Sequence, residues 1–170
     1  MIRRSAIPAD ALHARYGRDG AYLDCFIADL DRVVPMEAFI EAFYTTWLFK
    51  LERRILAWTV DKPSTDTHAR ELARGQRKDF AAWTLEARTD DQLLMCDFLG
   101  TTRSWLRSSP ERGGTRLFFG SVVTARRDVR SGRMALGWSY RLLLGFHKLY
   151  SRALLSVPRA KLRRQLSLKA

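Results

Sequence analysis

The stretch from residue 80 to residue 125 alternates apolar and polar side chains with a period of two, interrupted at intervals by turn-forming residues. Such alternation places successive side chains on opposite faces of a β-strand. It predicts strands at 80–88, 92–98, 101–108 and 115–124, with an earlier strand at 22–30. Because a parallel pair needs a crossover of about a dozen residues or more, these short connections predict an antiparallel β-meander.

Two long helices are predicted to cover this sheet. Pro35 and Glu37 are typical of a helix start, and apolar residues then recur at helical spacing over 35–58. The same spacing predicts a C-terminal helix over 133–157, with a break or kink near Pro158, whose ring cannot continue the hydrogen-bond ladder. The sequence therefore predicts an α+β fold, in which an antiparallel meander packs against a long C-terminal helix and a second long helix follows the first strand.

The charge of the chain is concentrated at its end. After Asp128 there are ten basic residues and no acidic one, while the formal net charge of all 170 residues is +12. Together with the length, this predicts a single domain over 1–158, with an irregular segment at 1–21, followed by a basic C-terminal extension at 159–170.

Cysteine usage and hydropathy bear on the compartment. Cys25 and Cys96 lie far apart within apolar, alternating segments, which is typical of reduced core thiols rather than of a secreted disulfide framework. No apolar run reaches signal-peptide length near the start, and none reaches the roughly 18 residues of a membrane span. These features predict a soluble, cytoplasmic protein.

Motifs of known catalytic chemistry are missing from the sequence. His13, His68 and His147 have no second ligand at metal-binding spacing, and there is no phosphate-binding glycine loop or nucleophile elbow. The sequence therefore predicts no metal and no cofactor. His147 is the one candidate acid or base, with Glu86 or Asp97 as its acidic partner, and a purely structural histidine is the alternative.

Four segments carry a resemblance to a known fold. They are Tyr22-Leu-Asp-Cys-Phe26, Ala87-Arg-Thr-Asp-Asp-Gln-Leu-Leu94, Gly114-Thr-Arg-Leu-Phe-Phe119 and Leu143-Leu-Gly-Phe-His-Lys-Leu-Tyr150. With the order of elements, they resemble the helix-grip arrangement of the START-like, or SRPBCC, superfamily, and within it an uncharacterised bacterial family also found fused to epimerase-like NAD-binding domains. The five predicted strands, where a full helix-grip sheet has seven, imply a reduced sheet.

The resemblance implies a hydrophobic pocket between the sheet and the C-terminal helix that binds a small apolar or lipid-like ligand. Aromatic residues at core-facing positions, with one histidine, are the candidates to line it. They are Phe43, Trp47, Trp83, Trp105, Phe146, His147 and Tyr150. Plain core packing is the alternative for the aromatic residues of the 35–58 helix, and sharing a fold does not transfer a reaction.

The basic extension has its own set of candidate partners. Its cations alternate with Leu162, Leu166 and Leu168, a pattern typical of segments that bind an anionic membrane surface, and an acidic protein is the other candidate partner. The cations are Arg159, Lys161, Arg163, Arg164 and Lys169. A solvated terminus is the alternative. Nucleic-acid binding is not supported, since no helix-turn-helix, RNA-recognition or zinc-finger pattern is present, and no pattern specifies an oligomeric state.

Overall fold

The computed structural model describes residues 1–47, 49–50, 64–124 and 155–164. Within them, seven strands form one antiparallel sheet in the order β1-β2-β7-β6-β5-β4-β3. The strands are β1 (Ile2–Arg4), β2 (Tyr22–Leu30), β3 (Asp79–Phe80), β4 (Trp83–Arg88), β5 (Gln92–Asp97), β6 (Thr102–Glu111) and β7 (Gly114–Val123). Consecutive strands from β3 to β7 are neighbours, so the predicted α+β class and antiparallel meander are confirmed.

Two edge strands are additions to the five that alternation predicts. β1 pairs with β2 and β3 pairs with β4, and each is too short to show a period of two. The sheet is therefore not reduced. The segment 1–21 is also more regular than predicted, because it contains β1 and a 3₁₀ helix at Ala14–Asp19.

Helix α1 (Met36–Tyr44) is shorter than the helix predicted over 35–58. The Thr45 hydroxyl donates to the Glu41 carbonyl and the Thr46 hydroxyl donates to the Phe43 carbonyl, over 2.5 and 2.9 Å. Threonine hydroxyls compete in this way with the helical ladder, and the chain turns at 45–46 before helical geometry resumes at 47 and 49–50. Positions 51–58 of the predicted helix lie outside the described residues.

A C-terminal helical segment spans 155–164, and residues 133–154 of the predicted helix lie outside the described part of the chain. The helix does not end at Pro158, near which the sequence predicted a break or kink. Leu155, Pro158 and Leu162 are all buried at helical spacing, and both leucines belong to the main core. Most helical stability in proteins comes from such packing, which here outweighs the local preference of proline.

The two faces of the sheet bury clusters of different size. On the inner face, Phe26, Ala28 and Leu30 of β2 pack with side chains of α1, of helix α2 (Asp66–Ala73) and of the 155–164 segment. On the outer face, Cys25 and Ile27 join a small cluster under the N-terminal segment. All described helices other than the 3₁₀ turn therefore cover the inner face.

An arginine connects the helical layer to the sheet. The Arg88 guanidinium, on β4, donates to the carbonyls of Leu72 and Ala73 at the end of α2, over 2.7 and 2.5 Å. A cation at this position also complements the negative end of the helix dipole. Helix α2 in turn packs against α1, so α1 and α2 are held together over the inner face.

Candidate functional site

A groove of about 560 Å³ opens between the end of α1 and the 155–164 segment. We call it the Trp47 groove. Its lining residues are Thr45, Thr46, Trp47, Ser156, Val157, Ala160, Lys161 and Arg164. The turn at 45–46 creates one wall, because it redirects the chain after α1 and leaves the Trp47 side chain 66% exposed.

Close packing of aromatic rings holds that wall in place. Phe43 stacks on Phe119 of β7 with ring centroids 5.5 Å apart, and Tyr44 contacts Phe49 and Phe80 at 4.8 and 4.9 Å. All five rings are almost wholly buried. The turn at 45–46 therefore sits between a fixed aromatic core and an exposed tryptophan.

Lys161 connects the two walls of the groove. Its ammonium group donates to the Thr45 hydroxyl and, over 3.4 Å, to the Thr45 carbonyl. Burial lowers the pKa of Lys161, the nearby positive charge of Lys50 lowers it further, and Glu41 and Asp66 oppose the shift. Lys50 itself pairs with Asp66 over 2.5 Å. The Lys161 ammonium is thus partly desolvated, and its hydrogen-bond partners are neutral oxygens.

Arg164 lies one helical turn beyond Lys161, on the same side of the segment, and is exposed. Across the described residues, neither Lys161 nor Arg164 makes a salt bridge. The groove therefore combines an exposed indole, two small apolar side chains, three hydroxyls and two cations.

The predicted ligand-binding residues are only partly brought together. Trp47 lines the groove, Phe43 lies in the core beneath it, and Trp83 is half-buried against the inner cluster. Trp105 lies on the outer face of the sheet, wholly buried, and does not line the groove. Phe146, His147 and Tyr150 lie outside the described residues, so the acid-base role predicted for His147 stays a prediction.

The predicted anion-binding cations are divided in a similar way. Lys161 and Arg164 line the Trp47 groove, Arg163 is exposed on the same segment, and Lys169 lies outside the described residues. Arg159 donates from Nε to the Asp29 carbonyl over 3.2 Å. Arg159 is therefore held to β2, while Lys161 and Arg164 lie at the groove.

The two strand carboxylates considered as acid-base partners have structural roles. Asp97 accepts hydrogen bonds from the backbone amides of Thr101 and Thr102 and so fixes the β5–β6 turn. Glu86 lies on the outer side, where it pairs with Arg103 over 3.1 Å. Burial alone would raise the pKa of Glu86, but hydrogen bonds from Tyr16, Arg15 and Arg103 outweigh it and lower the pKa. Neither carboxylate reaches the groove.

His13 is wholly buried on the outer face, a position that the sequence did not indicate. Its ring packs against the Trp105 ring at a tilt of 32°, with centroids 4.4 Å apart, and Gln92 accepts a hydrogen bond from the Trp105 indole over 2.8 Å. Burial lowers the pKa of His13 to about 4, against a weak opposing effect of the Asp24 backbone. Neither ring nitrogen makes a hydrogen bond of normal geometry within the described residues, so this histidine is held neutral.

Within the described ranges, no group of three His, Cys, Asp or Glu side chains is placed to hold a metal ion. Cys25 and Cys96 are both free thiols, the first buried and the second partly exposed. Burial, with a smaller effect of Asp24, raises the pKa of Cys25 to about 12, so this thiol is not activated as a nucleophile. No described helix is long and apolar enough to span a membrane.

The described residues define an α+β protein in which helices cover one face of a seven-stranded antiparallel sheet, an arrangement compatible with a helix-grip fold. Among solved structures the chain is similar to CalU16 from Micromonospora echinospora, with 13% identity, a TM-score of 0.38, and coverage of 99% of this chain and 90% of that one. With this identity and TM-score, the similarity carries no argument about activity. No protein-family model matches the sequence, and no curated protein matches it.

Proposed function

We propose that this protein binds a small apolar or lipid-like molecule in the Trp47 groove. The observation that carries the proposal is the exposed indole of Trp47 on the wall of an open cavity. Ligand sites are typically concave, with volumes of roughly 300–1,000 Å³, and mix apolar surface with a few polar groups. The groove has this size and this composition.

The groove favours a compact ligand over a flat partner surface. Val157 and Ala160 are small, so they leave room opposite Trp47 for an aliphatic chain or an aromatic ring. The Thr45 and Thr46 hydroxyls already donate to backbone carbonyls, so toward a polar substituent they can act only as acceptors. Burial of the indole against a ligand would remove a large apolar surface from water, which is the main source of affinity expected here.

Replacement of Trp47 tests the proposal directly. The purified protein is titrated with a hydrophobic fluorescent dye. Native mass spectrometry of the intact protein detects any co-purifying lipid, and extraction recovers it for identification. We expect dye binding at one site per chain in the wild type, a large loss in Trp47→Ala, and near-wild-type binding in Trp47→Phe.

Phe98→Ala is the matched control, because Phe98 is another exposed aromatic residue, 53% accessible, in the β5–β6 turn. The control should bind the dye as the wild type does. Equal binding by Trp47→Ala and wild type would exclude the groove as the site.

The alternative of a peripheral membrane or protein-interaction module, acting through the basic C-terminal segment, has less support. Leu162, one of the three leucines predicted to face the lipid, is buried in the main core. Arg159 is held by a hydrogen bond to the Asp29 carbonyl. Co-sedimentation with neutral and anionic vesicles tests this alternative. Strong binding to anionic vesicles by Trp47→Ala would favour it over the groove.

A further inference from the structure

The charge within the groove narrows the class of ligand. We propose that the Trp47 groove selects molecules whose apolar body ends in a carboxylate or phosphate, which Lys161 and Arg164 bind together. This inference rests on the proposed function, and it names the chemistry of the ligand that the same site takes.

The first support is that neither groove cation forms a salt bridge within the described residues, although Glu41 and Asp66 act on Lys161 from a distance. Lys50, the cation that acts on Lys161, is itself paired with Asp66 over 2.5 Å. In the described part of the chain, Lys161 and Arg164 pair with no carboxylate. Two cations that share one concave wall repel each other, and an anion bound between them removes that repulsion.

The second support is the environment of Lys161. Its ammonium is partly desolvated, and its two hydrogen bonds go to the hydroxyl and the carbonyl of Thr45. Those bonds use two of the three ammonium protons and leave one for a ligand. Arg164, one turn away, can offer its planar guanidinium to two oxygens of the same anion.

The third support is the position of Trp47 relative to the cations. The indole and both cations line the same cavity, so an apolar body can contact Trp47 while its charged end reaches Lys161 and Arg164. A purely apolar ligand would cover both cations in part without supplying a negative charge, which costs binding energy. The arrangement therefore suits an amphipathic anion better than a neutral lipid.

Calorimetric titration with three probes of equal chain length tests this inference: dodecanoate and dodecyl phosphate below their micelle concentrations, and dodecanol below its solubility limit. For the wild type we expect the two anions to bind at least about tenfold more tightly than the alcohol, as charge-assisted hydrogen bonds predict. In the double variant Lys161→Met with Arg164→Gln, that preference should disappear while dodecanol binding remains.

A charge-matched control is the double variant Lys78→Met with Arg163→Gln, which removes two exposed cations that do not line the groove. This control should bind the two anions more tightly than dodecanol, as the wild type does. If it loses that preference, the effect is one of net charge in general and the inference is overturned. Equal affinity of the wild type for dodecanol and dodecanoate would also overturn it, while leaving the proposed function intact. If none of the three probes binds, the proposed function itself fails.

Two further measurements separate the sources of the anionic group. Inorganic phosphate alone should bind far more weakly than dodecyl phosphate, and equal affinity would contradict the role of Trp47. Suppose that the wild type and the control variant bind anionic vesicles and the Lys161→Met, Arg164→Gln variant does not. That result would identify a membrane lipid as the source. Anion binding without vesicle binding would identify a free amphiphile, and both results support the inference.

Discussion

The outer face of the sheet and the Trp47 groove differ in how their positive charges are compensated. On the outer face, Arg103 pairs with Glu86 over 3.1 Å and Arg107 pairs with Asp91 over 2.8 Å. In the groove, Lys161 has only neutral hydrogen-bond partners among the described residues. Charge that is balanced within the molecule contributes to the fold, whereas unbalanced charge in a concave site can bind an external anion. The net positive charge of the chain therefore bears on anion binding only through those cations that are not balanced within the molecule.

The largest expected effect on stability comes from the aromatic core beneath the groove. Phe43→Ala removes a buried ring that stacks on Phe119, so we expect the free energy of unfolding to fall by about 3–5 kcal/mol. Urea denaturation measures it. A loss below about 1 kcal/mol would show that the aromatic core does not support this wall.

The next effect belongs to the outer face and depends on pH. Because His13 is neutral in the folded protein down to a pKa of about 4 and its ordinary value is 6.5, the unfolded chain binds the proton first as the pH falls. Stability should decrease by about 3 kcal/mol between pH 6.5 and pH 4, and be unaffected by this group above pH 6.5. Urea titrations of wild type and His13→Leu across this range check it, and parallel pH profiles would contradict the buried position.

A smaller loss is expected from Gly120→Ala on the outer face. A Cβ atom at Gly120 would lie 2.8 Å from His13 Nε2 and 2.9 Å from both the Asp24 carbonyl oxygen and the Trp105 ring. Overpacking of this kind costs roughly 1–3 kcal/mol. Thermal unfolding measures the loss, and combining the change with His13→Ala, which opens space, should recover part of it.

The smallest effect on stability is expected in the groove. Trp47→Ala should change the free energy of unfolding by no more than about 0.5 kcal/mol, because the side chain is 66% exposed. The same variant should lose ligand binding. Replacement of Trp47 is thus expected to affect binding and hardly stability, whereas replacement of Phe43 lowers stability. A strongly destabilised Trp47→Ala would instead make Trp47 part of the core.

Periodicity predicted the parts of the fold in which a long stretch of sequence repeats one pattern. β2 matches its predicted range at 22–30, and β4 to β7 arise from the four predicted stretches. β1 was missed because three residues cannot establish a period. β3 was missed because a turn at Ala81, with φ of 51°, divides the strand predicted at 80–88, so that Phe80 pairs with Trp83. The end of α1 was missed because Thr45 and Thr46 interrupt the helix through their hydroxyls, while the apolar spacing continues past them.

The candidate site was predicted in pieces rather than as a whole. Trp47 was assigned to a ligand pocket, and Lys161 and Arg164 to a separate basic extension. Lys161 and Thr45 lie 116 positions apart in the sequence, and their contact depends on how the 155–164 segment packs through Leu155 and Leu162. No local pattern encodes that packing, although the adjacent threonines at 45–46 within a helical pattern were a usable signal.

The hydrogen bonds from Arg88 to the end of α2 have a consequence for the entropy of binding. They fix α2 to the sheet, α2 packs on α1, and Thr45 directly follows α1. A ligand that enters the groove therefore meets a wall whose backbone was ordered when the protein folded, so little further ordering is required on binding. Under the proposed function, Arg88 would thus contribute to affinity without touching the ligand, by limiting the conformations of the groove before binding.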